Sequence, residues 1–306
     1  ILILIEKIKC FEIEITKFTL LIRFKLLKSN KLIIICGPTG IGKTNLSIEL
    51  AKKLNCEIIS VDSRQFYKEM SIGTCPPDNN QLEAVKHHFI QNISIKSNYS
   101  AGQYQKDAQK KIKQLFKNQN IIIAVGGSGM YIDAICNGLD EIPKSDKMIR
   151  SKIILDFKEN GIKWLRDQMK KIDKKFYNTV DKDNHQRMIR ALEVYKISGK
   201  PISYFQKKRH INNNFEIVKF GIKTNTESLY KNINDRVDLM INNGLIDEVK
   251  KLHKYKNFNA LNTVGYKEVF KYLDGFITKQ EAINFIKRNS RRYAKRQMTW
   301  FRRYND

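Results

Sequence analysis

The chain has 306 residues, 42% of them hydrophobic, which is enough for one large or two moderate domains with a real core. Its 57 Lys and Arg against 31 Asp and Glu leave a net charge of +26, which points to a polyanionic partner, nucleic acid first. An Ile-, Asn- and Lys-rich codon bias is the plainer source of part of that charge. The five cysteines are scattered without a CxxC or Cys/His pattern, which argues against a zinc site and fits a reducing, cytoplasmic setting. No apolar run approaches the ~20 residues of a membrane span.

Residues 1–30 open on Ile and interrupt their short apolar runs with Glu and Lys, unlike a secretory signal. The alternating "FEIEI" predicts an edge strand, and an upstream extension is an equal alternative; the segment is assigned no function. "LIIIC" (32–36) reads as a buried parallel strand. "GPTGIGKT" follows, Gly37 to Thr44, matching G-x-x-x-x-G-K-[ST]. In that pattern backbone N–H groups and a helix N-terminus cradle phosphate, the lysine adds charge and the last hydroxyl ligates Mg²⁺. Leu46, Leu50 and Leu54 at i+4 spacing then predict a helix. "EIISVD" (57–62) is a second strand that ends on a carboxylate, Asp62, at the sheet edge where such folds bind ligands. Asp62 suits a general base or a magnesium partner, with a helix N-cap as the bland alternative.

Tyr104, Ala108, Ile112 and Leu115 share one helical face, and "IIIAV" (121–125) is a further buried strand that runs into "VGGSGMY". Strand, loop and helix in this alternation predict an α/β fold with a parallel sheet. The last strand ends in Gly126-Gly127, without the Asp that holds magnesium in many nucleotide hydrolases, which weakens an ATP reading. Between about 140 and 210 charged amphipathic helices take over. One has Asp183 or Asn184 as N-cap, Gly199 with Pro201 as its stop, and an apolar face of Met188, Leu192 and Tyr195. "FEIVKFGI" (215–222) returns to the sheet, Thr224 and Glu227 suggest a capping box, and Gly244 ends the helix after it. The final helix, about Gln280 to Arg303, crowds Arg288, Arg291, Arg292, Lys295, Arg296, Arg302 and Arg303 into a few turns, and arginine suits phosphate contacts and base stacking. Tyr293 and Trp300 are expected to pack inward. Adjacent His87 and His88 make a poor metal pair.

Taken together, "GPTGIGKT", "VDSRQFY", "KHHFI", "YSAGQYQKDA", "VGGSGMY", "QRMIRALEVY", "NTVGYKE" and "RRYAKRQMTWF", in this order from about Lys31 to Arg303, closely resemble the tRNA dimethylallyltransferase family in its bacterial form. The resemblance implies a P-loop NTPase-like parallel sheet flanked by helices, with core segments 31–140 and 211–306 and an inserted helical tRNA-gripping domain over 141–210. It implies transfer of a dimethylallyl group from dimethylallyl diphosphate to N6 of adenosine 37 of tRNAs that read codons beginning with U, with Mg²⁺ as cofactor, by a cytoplasmic monomer that engages the anticodon stem-loop.

Carried over by position, the diphosphate falls to Gly37, Pro38, Thr39, Gly40, Ile41, Gly42, Lys43 and Thr44, with Thr44 at the metal. Asp62, Ser128 (a threonine in most members) and Arg236 are assigned to the chemistry. The RNA falls to Asp62, Ser63, Arg64, Gln65, Ser128, Arg150, the helix residues Gln186, Arg187, Met188, Ile189 and Arg190, then Gly265, Tyr266, Arg291, Arg292, Lys295 and Arg296. Asn232 replaces the first Arg of a usual Arg-x-x-x-Arg pair, Pro76 a common Lys and Ser290 a common Thr. A P-loop small-molecule kinase and a non-catalytic RNA-binding protein are the competing readings.

Overall fold

The structure is a computed structural model that describes residues 2–6, 29–207 and 213–304. Within it the chain divides into two compact units, one drawn from 1–136 and 212–306 and the other spanning 137–211.

Among the described residues the larger unit is built on six parallel strands: β1 (Leu2–Glu6), β2 (Lys31–Cys36), β3 (Ile58–Ser60), β4 (His87–His88), β5 (Ile121–Gly126) and β6 (Glu216–Lys223), in the order β1-β6-β2-β5-β3-β4. β2 lies between two neighbours and is buried along its whole length. Its run of aliphatic residues follows from this, because a parallel strand covered on both faces has no solvent side to make polar. Leu32, Ile34 and Cys36 enter one apolar cluster and Ile33 and Ile35 the other, as the two-residue repeat of a strand requires. The predicted edge strand "FEIEI" lies outside the described residues, as does Cys10; the strand at the β6 edge is β1 instead.

Helices α1 (Lys43–Leu54), α2 (Asn79–Ala84), α3 (Ala101–Leu115) and α4 (Gly129–Cys136) occupy the first half of this unit, and α3 buries all four residues of its predicted face. In the 137–211 unit, α5 (Lys147–Ile172) breaks its helical geometry at Gly161, and α6 (Lys174–Thr179), α7 (His185–Ser198) and α8 (Ile202–Phe205) follow. Asn184 caps α7 by accepting the Arg187 N–H, and Gly199 closes it in the left-handed region at φ 68°.

The larger unit resumes with α9 (Thr226–Asn242), α10 (Leu245–Leu252), α11 (Tyr266–Leu273) and α12 (Lys279–Arg302). The expected Thr224–Glu227 capping box is not formed. Asn225 caps α9 through the Ser228 N–H, which shifts Glu227 into the first turn, where an acid favours the dipole. Gly244 is the N-cap of α10 rather than the end of α9. The final helix starts at a real capping box, Thr278 with Glu281.

Candidate active site

The parallel register brings three strand ends to one sheet edge: Gly37 after β2, Asp62 two residues past β3, and Gly126–Ser128 at the end of β5. They are tightly joined. The Val61 N–H donates to Val125 O at 2.7 Å, and a Cβ at Gly126 would lie 1.9 Å from Val61 O, so only glycine fits there.

The glycine loop curls over the start of α1. Gly40 and Gly42 hold φ of 79° and 95°, a region L side chains avoid, and the buried Ile41 between them pins the loop to the core. Lys43 folds back so that its Nζ donates to Pro38 O at 2.8 Å. Burial, with the Arg236 guanidinium adding to it, pushes the Lys43 ammonium down to about 8, and the Asp62 carboxylate pulls the other way. A cavity of about 140 Å³ gathers Lys43, Thr44, Asp62, Gln65 and Arg236.

Asp62 Oδ1 accepts the backbone N–H groups of Arg64 (2.8 Å) and Gln65 (3.2 Å), which fixes the carboxylate and leaves Oδ2 without a hydrogen bond among the described residues. Ser128 is buried, and its hydroxyl accepts the Ser63 N–H at 3.0 Å. It therefore braces the loop that carries Asp62. The Gln65 amide donates to Cys75 O at 2.9 Å, and Arg236 donates to the same oxygen at 3.2 Å. Asn232, where a second arginine is usual, donates to Gly40 O at 3.2 Å; it supports the glycine loop without adding charge.

Two residues of α12 complete the site. Tyr293 lines the glycine-loop cavity and two further cavities of about 320 and 380 Å³, and burial pushes its phenol up to about 12. It is neither a core residue nor exposed. Gln297, six percent exposed, accepts the Thr39 N–H at 2.9 Å and donates to Gly127 O at 2.8 Å, so it ties the glycine loop to the second loop. Gln297 closes the Arg291–Gln297 stretch that resembles an RNA-facing segment of the family, but its amide is spent on the two loops; its four-residue spacing from Tyr293 puts both on one helical face. Gln297→Leu is expected to leave the Thr39 N–H and Gly127 carbonyl unpaired and to lower stability by about 1–3 kcal/mol, as read by chemical denaturation. Trp300 is held by Asp133, with Nε1 3.2 Å from Oδ2, and by the Arg303 guanidinium 3.9 Å above its ring.

The remaining RNA candidates separate by exposure. Arg292, Lys295 and Arg296 are exposed on α12, Arg64 donates to Asn259 O at 3.1 Å, and Arg291 donates to Asn234 Oδ1 at 2.6 Å. Gly265 holds φ 95° at the N-cap of α11, its N–H given to Glu268 at 2.8 Å. Tyr266 is a correction: it is fully buried, its hydroxyl donating to Glu248 at 2.6 Å. In the other unit Gln186 and Arg187 are exposed, whereas Met188 and Ile189 sit in the helical core, 0% and 1% exposed; these two are packing residues, not RNA contacts. Arg150 and Arg190 converge on the carboxylate of fully buried Glu193 at 3.1 and 2.8 Å, and Arg150 also reaches Gln186 at 3.2 Å.

Among the described residues no group of three or more His, Cys, Asp and Glu is placed to hold a metal ion, and no helix is long and apolar enough to cross a membrane. His88 is engaged by Glu57 at 2.6 Å.

A glycine loop over a helix N-terminus, a half-buried lysine and a fixed carboxylate on one edge of a parallel sheet are the features of a P-loop-like α/β enzyme. Comparison with known proteins narrows the class. The family model for IPP transferase matches residues 65–304. The tRNA dimethylallyltransferase of Christiangramia forsetii is 50% identical over 275 residues, covering 90% of this chain and 91% of that protein. That of Flavobacterium johnsoniae is 47% identical over 278 residues, with 89% and 90% coverage. Among solved structures, the tRNA isopentenylpyrophosphate transferase of Bacillus halodurans superposes with a TM-score of 0.65 at 38% identity, covering 90% of this chain and 87% of its own. A eukaryotic dimethylallyltransferase acting on tRNA gives 0.74 at 27% identity, with 89% and 70% coverage. The chain belongs to the tRNA dimethylallyltransferase family.

Proposed function

We propose that the chain transfers the dimethylallyl group of dimethylallyl diphosphate to N6 of adenosine 37 in tRNAs that read codons beginning with U. The observation that carries this reading is Asp62, held by two backbone N–H groups with one carboxylate oxygen uncommitted, in the same cavity as Lys43 and Arg236. Adenine's amino group is a weak nucleophile, so the enzyme has to orient it, take its proton and neutralise the leaving group. N6 attacks C1 of the allyl group as the C1–O bond breaks. The N6 proton passes to Asp62, and the electron pair of the broken bond leaves with diphosphate.

The glycine-loop N–H groups, Lys43 and Arg236 bind that leaving group. Mg²⁺, when bound, supplies further neutralisation of the diphosphate. The protein oxygen that would hold it is the Thr44 hydroxyl, which lines this small cavity. A single protein oxygen suits magnesium, which keeps water and phosphate oxygens in its shell. The two cavities beyond Asp62 combine Arg64 and Arg296 with Tyr293, and the larger adds Tyr67, Tyr131 and Trp300. Cationic and aromatic walls suit a base turned out of a single-stranded loop.

The exposed α12 cations supply sequence-independent affinity for the RNA backbone. Arg292→Ala combined with Lys295→Ala is expected to flatten the dependence of log affinity on log salt by about one unit for each phosphate no longer neutralised. Filter binding of an anticodon stem-loop across a salt series reads that slope. The function itself is tested by incubating the protein with labelled dimethylallyl diphosphate and stem-loops carrying adenosine or guanosine at position 37. Label is expected only in the adenosine RNA; label in neither removes the proposal.

A further inference from the structure

Two buried side-chain nitrogens have no hydrogen-bond partner among the described residues, Gln119 Nε2 and His87 Nε2. Buried polar atoms are nearly always paired, so each orphan asks for a reason. Gln119 lies in the turn before β5 and uses its oxygen on the Glu57 N–H at 3.3 Å. His87 is different, because its ring forms part of the wall of the phosphate-loop cavity, beside Thr44, Ser60 and Asp62.

The protonation of this ring follows from geometry. Nδ1 is 2.7 Å from Val85 O. A carbonyl oxygen only accepts, so Nδ1 carries the hydrogen and Nε2 presents a lone pair. Burial, with neighbouring His88 adding to it, lowers the imidazole from its ordinary value despite the Val85 bond, which favours the neutral ring. The register of β4 separates the two histidines. His87 pairs with Ile58, which packs on the side that carries α1, whereas His88 pairs with Ile59 and is taken up by Glu57. Among the described residues the lone pair meets no donor: the Ser60 hydroxyl, in the same cavity wall, is turned to Gln65 Oε1 at 3.1 Å.

We propose that His87 Nε2 accepts a hydrogen bond from a donor that arrives with the diphosphate, either a water carried by a diphosphate-bound divalent cation or a proton on the diphosphate itself. This rests on the reading of the cavity as the diphosphate site. His87 is then a ligand-binding residue that favours the hydrated or protonated ligand over a bare anion, and it complements Lys43 and Arg236, which can only donate. The neutral ring adds an acceptor without adding a negative charge that would repel the phosphates.

The test is calorimetric titration of the full chain with inorganic diphosphate, once with Mg²⁺ and once with EDTA. In His87→Asn, the shorter amide keeps the hydrogen bond to Val85 and deletes Nε2. Its affinity is expected to fall about three- to tenfold, with its melting temperature unchanged. His87→Gln places an amide oxygen where Nε2 stood and is expected to bind within about twofold of the unaltered protein. Loss confined to the Mg²⁺ arm identifies the metal-borne water as donor; loss in both arms identifies the phosphate proton. His87→Asn binding like the unaltered protein in both arms, or His87→Gln as weak as His87→Asn, overturns the inference alone. No diphosphate binding by the unaltered protein overturns it together with the reading of the site.

Discussion

Asp62→Ala is expected to bind dimethylallyl diphosphate as the unaltered protein does and to lose prenyl transfer by about 100-fold or more, the usual contribution of a positioned general base. The split follows from where the carboxylate sits. Oδ1 is spent on the Arg64 and Gln65 N–H groups, so the side chain is fixed, and Oδ2 is the oxygen left to engage the acceptor amine. On the proposed reading the diphosphate falls to other groups of the cavity, the glycine loop, Lys43 and Arg236, which a change at Asp62 leaves in place. Asp62→Asn sharpens the result, since it keeps the oxygen that accepts the two N–H groups and removes only the basicity. Single-turnover transfer with saturating RNA separates the two steps. An Asp62→Ala protein that turns over at the normal rate would remove Asp62 from the chemistry.

Lys43→Ala is expected to weaken diphosphate binding about 10- to 100-fold, the range for losing a charge-assisted hydrogen bond in a partly dry site. The pH dependence gives a second signature. Burial and Arg236 push the Lys43 ammonium down to about 8, so in the unliganded protein its charge is lost as pH rises through that value. An arriving anion favours the charged form. Diphosphate binding is therefore expected to take up a proton above about pH 8 and to weaken steadily toward about pH 9. Calorimetry in buffers of different ionisation enthalpy measures that uptake. Lys43→Ala, which shares every other titration including the ligand's own, is expected to lack it. Equal proton uptake in the two proteins would place the titrating group elsewhere.

Much of this site is legible in the sequence, for reasons that differ by element. β2 is readable because a strand buried on both faces is apolar along Leu32–Cys36, and the glycine loop because glycine takes the left-handed turns at Gly40 and Gly42 without strain. The α3 face is readable because Tyr104, Ala108, Ile112 and Leu115 repeat at helical spacing. Other features depend on distant partners that no local pattern reveals. The two-residue strand at His87 is too short to show a period and exists because β3 offers it an edge. Tyr266, Met188 and Ile189 fall inside motifs shared with a family, but a shared motif does not say which of its residues point outward. Tyr266 is buried because Glu248, 18 residues away, accepts its hydroxyl.

Gln297 was hidden by its surroundings. Between Arg296 and Met298 it looks like one more polar residue of a basic helix, yet it bonds Thr39 and Gly127 from the far end of the chain. Arg150 and Arg190 likewise appear as free cations in sequence, whereas both are committed to the buried carboxylate of Glu193. Exposed charges remain on α12 at Arg288, Arg292, Lys295, Arg296 and Arg302, and on α7 at Arg187.

Everything proposed for this site turns on the loop from Gly37 to Thr44 holding the diphosphate of an isoprenoid and not the phosphates of a nucleotide. Competition between dimethylallyl diphosphate and ATP for the protein, in the presence of Mg²⁺ and an adenosine-37 stem-loop, decides between the two. Dimethylallyl diphosphate is expected to exclude ATP, the RNA to gain the five-carbon group, and ATP to remain unhydrolysed. ATP turnover at the loop, with no prenyl group on the RNA, would contradict the isoprenoid reading.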